Sequence, residues 1–583
     1  MGAAILLLTV PAAAVLSTAV PTWSAAPRAG TLTYALYPAA PSPSKIPIQH
    51  IVVLMQENHD YDNYFGTYCQ STSLTCAYVG NGIPTGTCVL KDPAIPSQGC
   101  ISPYPFPNGT PLTGDIQHNW VSGHVSLDGG KMDGFYQAER SGNAPFGYFD
   151  GKTIPGYWDL AEQYGLGDNF YASTLSYSLP NHWYLMAGAA PAESETVLLK
   201  SKGTPNLSGP QEIYLNESNA TRAIDDLLIN SSVSWTYYAA NLFPNYTAAI
   251  NDHAGGGGAF AYWNPLAAKA ETYGGSFPSH FVDRNQFASD VANGNLSNIS
   301  WVMPSAVQSD HPPYNVSLGQ SWVLSCINQV EQSNYWNSTA IFLTWDDYGG
   351  FYDHVAPPKF GQNYLSFRAP LLVISPYARQ GYLSHQLGEF SSLLRFIEWR
   401  YGFSNLTARD GSAALPLGYF DFNATPRPPM TIGANGNVPP YPMGLQKLPP
   451  PPAPTGFTVT AAKRSAILRW TPASGGTAVS WYHLAYHPAG NSSASHAIRI
   501  DGAANGFVVG NLTSGTKYVF TLQSVTGASR SAPVNATGVP TVPVGGLLPA
   551  LATSAPGVFG TGPVSAVGAA RLSTDGRGSR TPV

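Results

Sequence analysis

The sequence predicts an α/β domain, a central sheet flanked by helices, followed by an all-β sandwich. Three observations carry that reading. Short apolar, β-branched runs recur through the first two thirds of the chain: IQHIVVLM (Ile48 to Met55), ISWVM (Ile299 to Met303), IFL (Ile341 to Leu343) and PLLVIS (Pro370 to Ser375). Each is bounded by polar or turn residues, as buried strands are. Helical stretches lie between and after them, including Pro155 to Tyr164, His182 to Gly188, Val323 to Asn334 and the amphipathic FSSLLRFIEWRY from Phe390 to Tyr401. A proline run, LPPPPAPT from Leu448 to Thr455, then ends this pattern. Beyond it FTVTAA, AILRW, WYHLAY, HAIRI, GFVVGNL and KYVFTLQSV alternate with turns, the mark of a sandwich of about 100 residues.

The expected division is 1–29 signal peptide or N-terminal anchor, 30–445 α/β domain, 446–455 stiff Pro-rich linker, 456–541 sandwich and 542–583 disordered tail. The first segment has an apolar run and small residues at Ser24-Ala25-Ala26, but no Lys or Arg precedes the run. Asn-x-Ser/Thr sequons recur from Asn108 to Asn535, in keeping with a secreted glycoprotein. Cys69, Cys76, Cys88 and Cys100 cluster in a Gly/Pro/Ser-rich region without a CxxC pair, so disulfides are expected, in any of three pairings. Cys326 is left over as a buried free thiol. Charged residues make up only 10% of the chain and the net charge is −5, with no basic stripe, which excludes a nucleic-acid-binding role. Residues 190–295 are read as irregular, with no chemistry assigned.

The candidate chemistry lies at strand ends. FLTWDDYGGFYDHVAPP (Phe342 to Pro358) passes from an apolar run to the adjacent carboxylates Asp346 and Asp347, then to Gly349-Gly350, Asp353 and His354. Two neighbouring carboxylates after a buried strand repel unless a positive charge lies between them. Glu57 and Asn58 stand at the end of the first apolar run in the same way, and an acid with an amide offers the oxygen donors a hard cation prefers. His118, His124 and His311, the last fixed before two prolines, are further candidates, one of the first two being structural. In SYSLPNHW, Ser178 and Asn181 flank Pro180 in a turn before His182. A hydroxyl there has helix N-terminal N–H groups nearby, which suit an anionic phosphate, although pattern alone favours a simple helix cap.

QENHDYDNYFG (Gln56 to Gly66), SLPNHWYLMAG (Ser178 to Gly188) and WDDYGGFYDHVAPP (Trp345 to Pro358) together resemble the phosphoesterase family of bacterial phospholipases C and acid phosphatases, with supporting matches at GKMDGF, SDHPP and RAPLLVISPYAR. The resemblance spans roughly Ile48 to Phe422 and implies an alkaline-phosphatase-like central mixed sheet. It implies one divalent metal ion, of open identity, on Glu57, Asn58, Ser178, Asp346 and Asp347. It makes Ser178 the nucleophile, sets His118, His311 and His354 around the phosphoryl group, and puts Asn181 and His182 against substrate. The chain departs from the family in having His59-Asp60-Tyr61 after Asn58, and Asp347 where a glutamate is usual. The sandwich is similar to a fibronectin type III domain, with Trp470 as core tryptophan and Tyr518 as corner tyrosine.

The function expected is that of a secreted, metal-dependent hydrolase of phosphate esters, of phospholipase C type on phosphatidylcholine-like substrates. The alternatives are an acid phosphatase of phosphomonoesters and, from another class, a non-enzymatic cell-surface binding protein. Partners would be a phospholipid or small phosphate ester, with membrane or cell-surface contact through the sandwich. A lipid needs an apolar rim, for which Tyr61, Tyr64, Trp183 and Tyr348 are the candidates.

Overall fold

The computed structural model describes residues 34–541 except 37, 39, 69–80, 108–111, 113, 139–141, 192–220, 241–262, 270–277, 361–362, 434–449, 473–477 and 527–528. The N-terminal signal or anchor, the C-terminal tail, Cys69, Cys76 and residues 446–449 of the proline linker therefore lie outside the described residues.

In chain order the positioning elements are β1 (Tyr34–Leu36), β2 (His50–Gln56), α1 (Tyr61–Phe65), α2 (Trp120–Leu127), α3 (Pro155–Gln163), β3 (Gly165–Gly167) and α4 (Ser178–Ala187). They continue with β4 (Trp235–Ala239), β5 (Phe281–Asp283), β6 (Ile299–Val302), α5 (Val316–Glu331), β7 (Thr339–Trp345), β8 (Leu371–Ile374), β9 (Tyr382–Ser384) and α6 (Phe390–Tyr401). One eight-stranded sheet runs in the order β5-β4-β6-β2-β7-β8-β3-β9. The β5 to β7 side is parallel throughout, β8 is antiparallel to both its neighbours, and β9 is parallel to β3. The sheet is thus mixed, as expected.

Strand residues alternate between two cores because successive side chains point to opposite faces. Ile51, Val53 and Met55 of β2 join Phe342, Leu179, Trp183 and the α6 residues Leu393, Leu394 and Ile397 on one side. Val52 and Leu54 join Ile341, Leu343, Trp158, Val323, Leu324 and Ile327 on the other. Burial on both faces explains why the central strands read as continuous apolar runs rather than alternating ones.

Two helical expectations shift and a third holds. The helix expected at His182 begins at Ser178 and includes Pro180, because a proline in the first turn has no intrahelical N–H to lose. That expected at Val323 begins at Val316, where Asn315 Oδ1 accepts from Ser317 N at 2.8 Å. The third, α6, spans Phe390–Tyr401 as read. Within 190–295, read as irregular, β4 and β5 in fact form the parallel edge of the sheet. Their aromatic composition (WTYYA, FVD) lacks the aliphatic run that marked the other strands.

The sandwich comprises β10 (Thr455–Ala462), β11 (Ser465–Thr471), β12 (Trp481–Pro488), β13 (His496–Asp501), β14 (Gly506–Val509), β15 (Tyr518–Thr526), β16 (Ser529–Arg530) and β17 (Val534–Gly538). Trp470 is buried against Tyr482, and the Tyr518 hydroxyl accepts from Thr513 N at 3.2 Å, as the fibronectin-like reading implies. One sheet is β1-β14-β11-β10, so the N-terminal strand, distant in sequence, completes it. The sandwich also packs against edge strand β9: Tyr382 donates to Asp501 Oδ2 at 2.5 Å, and Arg379 Nη1 to Val479 O at 2.7 Å. Cys88 is disulfide-bonded to Cys100, and Cys326 is a buried free thiol.

Leu343 lies in the doubly covered centre of β7. Leu343→Ala is expected to cost about 2–5 kcal/mol, read as a fall in the urea midpoint with the slope of the transition unchanged.

Candidate active site

β2 and β7 pair in parallel from His50↔Thr339 to Gln56↔Trp345, with no slip. The residue after each strand therefore emerges at the same level, and Glu57 and Asp346 meet at the carboxyl edge. The ladder continues past the strands: Asp346 N donates to Gln56 O at 3.0 Å and Glu57 N to Ser309 O at 2.8 Å. The second bond brings the loop after β6, and with it His311, to the same edge.

Asn58 takes a left-handed backbone, φ 60°, and its N–H reaches Asp346 Oδ1 at 2.9 Å. Gly349 makes this approach feasible. Its own φ is +59°, and a Cβ there would stand 2.0 Å from Asn58 O. Gly349 N in turn donates to Asp347 Oδ1 at 2.7 Å, leaving Asp347 Oδ2 to receive the Ser178 hydroxyl at 3.4 Å. Ser178 is the first residue of α4 and is not its cap, which is Tyr177. Asn181 holds the preceding turn: its Oδ1 accepts from Thr174 N, and its amide donates to Thr174 O, Ser176 O and Tyr177 O. The amide expected to meet substrate is thus engaged in aiming Ser178. His182, one turn after Ser178, points its Nε2 at Glu57 Oε1, 3.1 Å away, and lies 3.9 Å from Asp346 Oδ2. It lies wholly buried behind the carboxylates, where burial pushes its pKa down to about 4, against the opposing pull of Asp346.

His118 Nε2 is 3.2 Å from Asn58 Nδ2 and 3.8 Å from Asp347 Oδ2. Burial disfavours the charged ring, but Asp347 and Asp115 outweigh it and push its pKa up to about 9. The His118 and His311 rings are 6.3 Å apart. Asp115, which sequence reasoning missed, shares this corner, its ligand atom within 4.8 Å of those of His118 and His311. His124 stacks on Trp120 and bonds its carbonyl, and is the structural member of the pair.

His354 keeps different company. Its Nδ1 is 2.6 Å from Asp62 Oδ2, and its contacts are with Asp62 and the Arg368 guanidinium. Arg368, fully buried, binds Asp62 at 2.8 Å and Asp353 at 2.7 Å, so this acidic cluster carries its own cation. The Glu57 cluster differs in that respect. Glu57 Oε2, Asn58 Oδ1 and Asp346 Oδ2 are buried without a hydrogen-bond donor among the described residues. Burial, then Asp346, holds the Glu57 and Asp347 carboxyls well above the usual range. Oxygens without donors and carboxylates crowded together, with no Lys or Arg paired to them among the described residues, fit a bound metal ion, which would be held by Glu57, Asn58, Asp346 and Asp347.

The expected aromatic rim is overturned: Tyr61, Tyr64, Trp183 and Tyr348 are all 0% exposed. They pack the core beneath the site; Tyr64, for example, meets Trp345 edge-on at 5.1 Å.

Asp310, left-handed at φ 69°, was also missed. Its carboxyl accepts from Tyr157 at 2.9 Å and Trp345 Nε1 at 3.2 Å, which anchors the His311 loop. Burial pushes its pKa up to about 7. The folded state therefore holds this proton more tightly than the unfolded chain, so the associated stability is full below about pH 4 and lost as pH rises towards 7. Urea midpoints between pH 4 and 7.5 should fall less for Asp310→Asn than for wild type. Replacing Arg368 by Met leaves Asp62 and Asp353 buried and unpaired, and is expected to cost about 3–5 kcal/mol by thermal or urea unfolding.

Residues 48–404 match the Phosphoesterase family, and residues 452–537 match the fibronectin type III domain. Phospholipase C B of Mycobacterium tuberculosis is 30% identical over 448 residues, covering 69% of this chain and 83% of that protein. Phospholipase C A of the same organism is 30% identical over 452 residues, covering 70% and 84%. The non-hemolytic phospholipase C of Burkholderia pseudomallei is 26% identical over 406 residues, covering 61% and 55%. With this match over the whole site-bearing region, the chain belongs to the phosphoesterase family, carries a C-terminal fibronectin type III domain and is a phosphoric ester hydrolase.

Proposed function

We propose that the protein is a secreted, metal-dependent phospholipase C acting on phosphatidylcholine-like diesters, with Ser178 as nucleophile. The observation that carries this reading is the convergence of donorless buried oxygens on Glu57, Asn58 and Asp346 with the Ser178 hydroxyl, which faces Asp347 at 3.4 Å. The names of the relatives, all phospholipases C, favour a diester over a monoester. The Cys88–Cys100 disulfide favours an oxidising compartment.

A divalent cation held by these oxygens supplies positive charge that lowers the pKa of the Ser178 hydroxyl and offsets charge developing on the phosphoryl oxygens. Asp347 Oδ2 is the acceptor that the hydroxyl already faces, and takes its proton as Oγ attacks phosphorus. His118, 3.8 Å from Asp347 Oδ2, is placed to stabilise the non-bridging oxygens. His311, on the loop at the outer side of His118, protonates the departing alcohol. It is preferred to His354 because its ring neighbours His118, which stands beside Asp347, whereas His354 is set against Asp62 and Arg368. The phosphoseryl enzyme is then hydrolysed by water with the same groups in reverse roles.

Ser178→Ala is expected to abolish turnover while metal content stays at the wild-type level, checked by elemental analysis beside activity. Turnover near wild type would transfer the nucleophile's role elsewhere. Asp346→Asn removes a carboxylate charge and should lower both metal content and activity at least about 100-fold in rate. Hydrolysis of p-nitrophenyl phosphorylcholine well above p-nitrophenyl phosphate supports the diester reading; the reverse preference makes the enzyme a phosphatase.

A further inference from the structure

The surface beside the site is built the wrong way round for an ordinary water-facing one. Helix α2 starts two residues after His118 and buries Ser122, Gly123, Ser126 and Leu127, while Trp120, Val121 and Val125 point outward at 47%, 46% and 39% exposure. An amphipathic helix on a soluble domain does the opposite. The orientation is locked, because Gly123 packs so tightly that a Cβ would lie 2.8 Å from Leu175 Cγ. Across the His118–His311 pair, the loop and first turn around His311 expose Val307, Tyr314 and Leu318 at 49%, 37% and 47%. Of the nine large hydrophobic residues exposed to this degree among the described residues, six lie on these two segments. The other three, Ile95, Ile229 and Val539, lie singly on other stretches of the chain, as is normal for surface hydrophobics.

The two segments are also poor in charge, although the exposed Asp115 precedes the first and the exposed pair Asp128 and Lys131 follows it. Residues 116–127 and 305–322 contain no Lys, Arg or Glu, and their one carboxylate, Asp310, is buried. An apolar patch at an active-site mouth marks an interaction surface. One that mixes aliphatic side chains with an indole and a phenol and has few charges around it fits the interface of a zwitterionic bilayer. Attraction to anionic lipid is disfavoured by the chain's net charge of −5. We infer that Trp120, Val121 and Val125 on one side, and Val307, Tyr314 and Leu318 on the other, form a paired apolar rim. The rim seats the catalytic domain on a phosphatidylcholine surface with the His118–His311 opening facing the headgroups. This rests on the phospholipase C reading and adds to it: the sandwich is not needed for membrane contact, and the aromatics buried under the site take no part.

The test uses the full chain and vesicles of pure phosphatidylcholine. Two variants strip the edges separately, Trp120→Ser with Val125→Ser, and Tyr314→Ser with Leu318→Ser. Each should reduce vesicle co-sedimentation and hydrolysis of vesicle lipid at least about tenfold, with turnover of water-soluble p-nitrophenyl phosphorylcholine unchanged. Retained soluble turnover also reports that the variants are folded. Wild-type vesicle binding in both variants overturns the rim. So does wild-type dimerisation in analytical ultracentrifugation that the variants abolish, since the occupant would then be a second copy. If no phosphorylcholine ester is cleaved by wild type, the phospholipase reading fails by itself, and co-sedimentation, with far-UV circular dichroism as the folding control, still decides the rim.

Discussion

The unslipped parallel pairing of β2 with β7 is the constraint on which the rest of the site depends. It brings Glu57 and Asp346 out at one level, in a place from which water is excluded. Negative oxygens crowded in such surroundings raise one another's proton affinity and stay ionised only beside positive charge. Secondary details serve this meeting. Asn58 adopts a left-handed backbone to reach Asp346, Gly349 gives up a side chain to allow it, and Gly350 lets the chain preceding His118 close over the turn.

The chain solves the same electrostatic problem in two ways. Around Asp62 and Asp353 the compensating charge is Arg368, built into the sequence, hydrogen-bonded to both and never exchanged. Such a cluster is structural cement between α1, the loop after β7 and the segment that leads into β8. Around Glu57 and Asp346 no Lys or Arg is supplied among the described residues, and Glu57 Oε2 and Asp346 Oδ2 are left without donors. A charge that can be delivered by an ion can also be shared with a substrate phosphate, which an internal guanidinium tied to two carboxylates cannot do. The contrast separates the reactive acidic cluster from the inert one better than composition does, since both are rich in aspartate and histidine.

The fibronectin type III domain is attached at the far side of this machinery. It packs against β9, the edge strand three positions from β7, and borrows β1 from the N-terminal side of the chain. Covering β9 shields the strand from pairing with other chains, and the borrowed strand ties the two ends of the catalytic region to one sandwich. A domain held in this way is a fixed flank of the enzyme rather than a loosely tethered module.

Much of this was legible in the sequence, because strand runs, the α6 periodicity, the sandwich alternation and the acidic strand ends are local patterns. Buried strands must be apolar and helices must show one apolar face, whatever surrounds them. The motif resemblance further named Ser178, Glu57, Asn58, Asp346 and Asp347 as one group. Only the tertiary structure decided which neighbours each residue faces. It set His354 against Asp62 and Arg368, engaged Asn181 in the turn before α4, put Asp310 beneath His311, and buried the aromatics that a linear reading would offer to lipid. It also turned the apolar side of α2 outward. Contacts such as Asp62 with His354 and Tyr157 with Asp310 join residues 292 and 153 positions apart, and they follow from strand register and helix docking, which residue pattern alone does not encode.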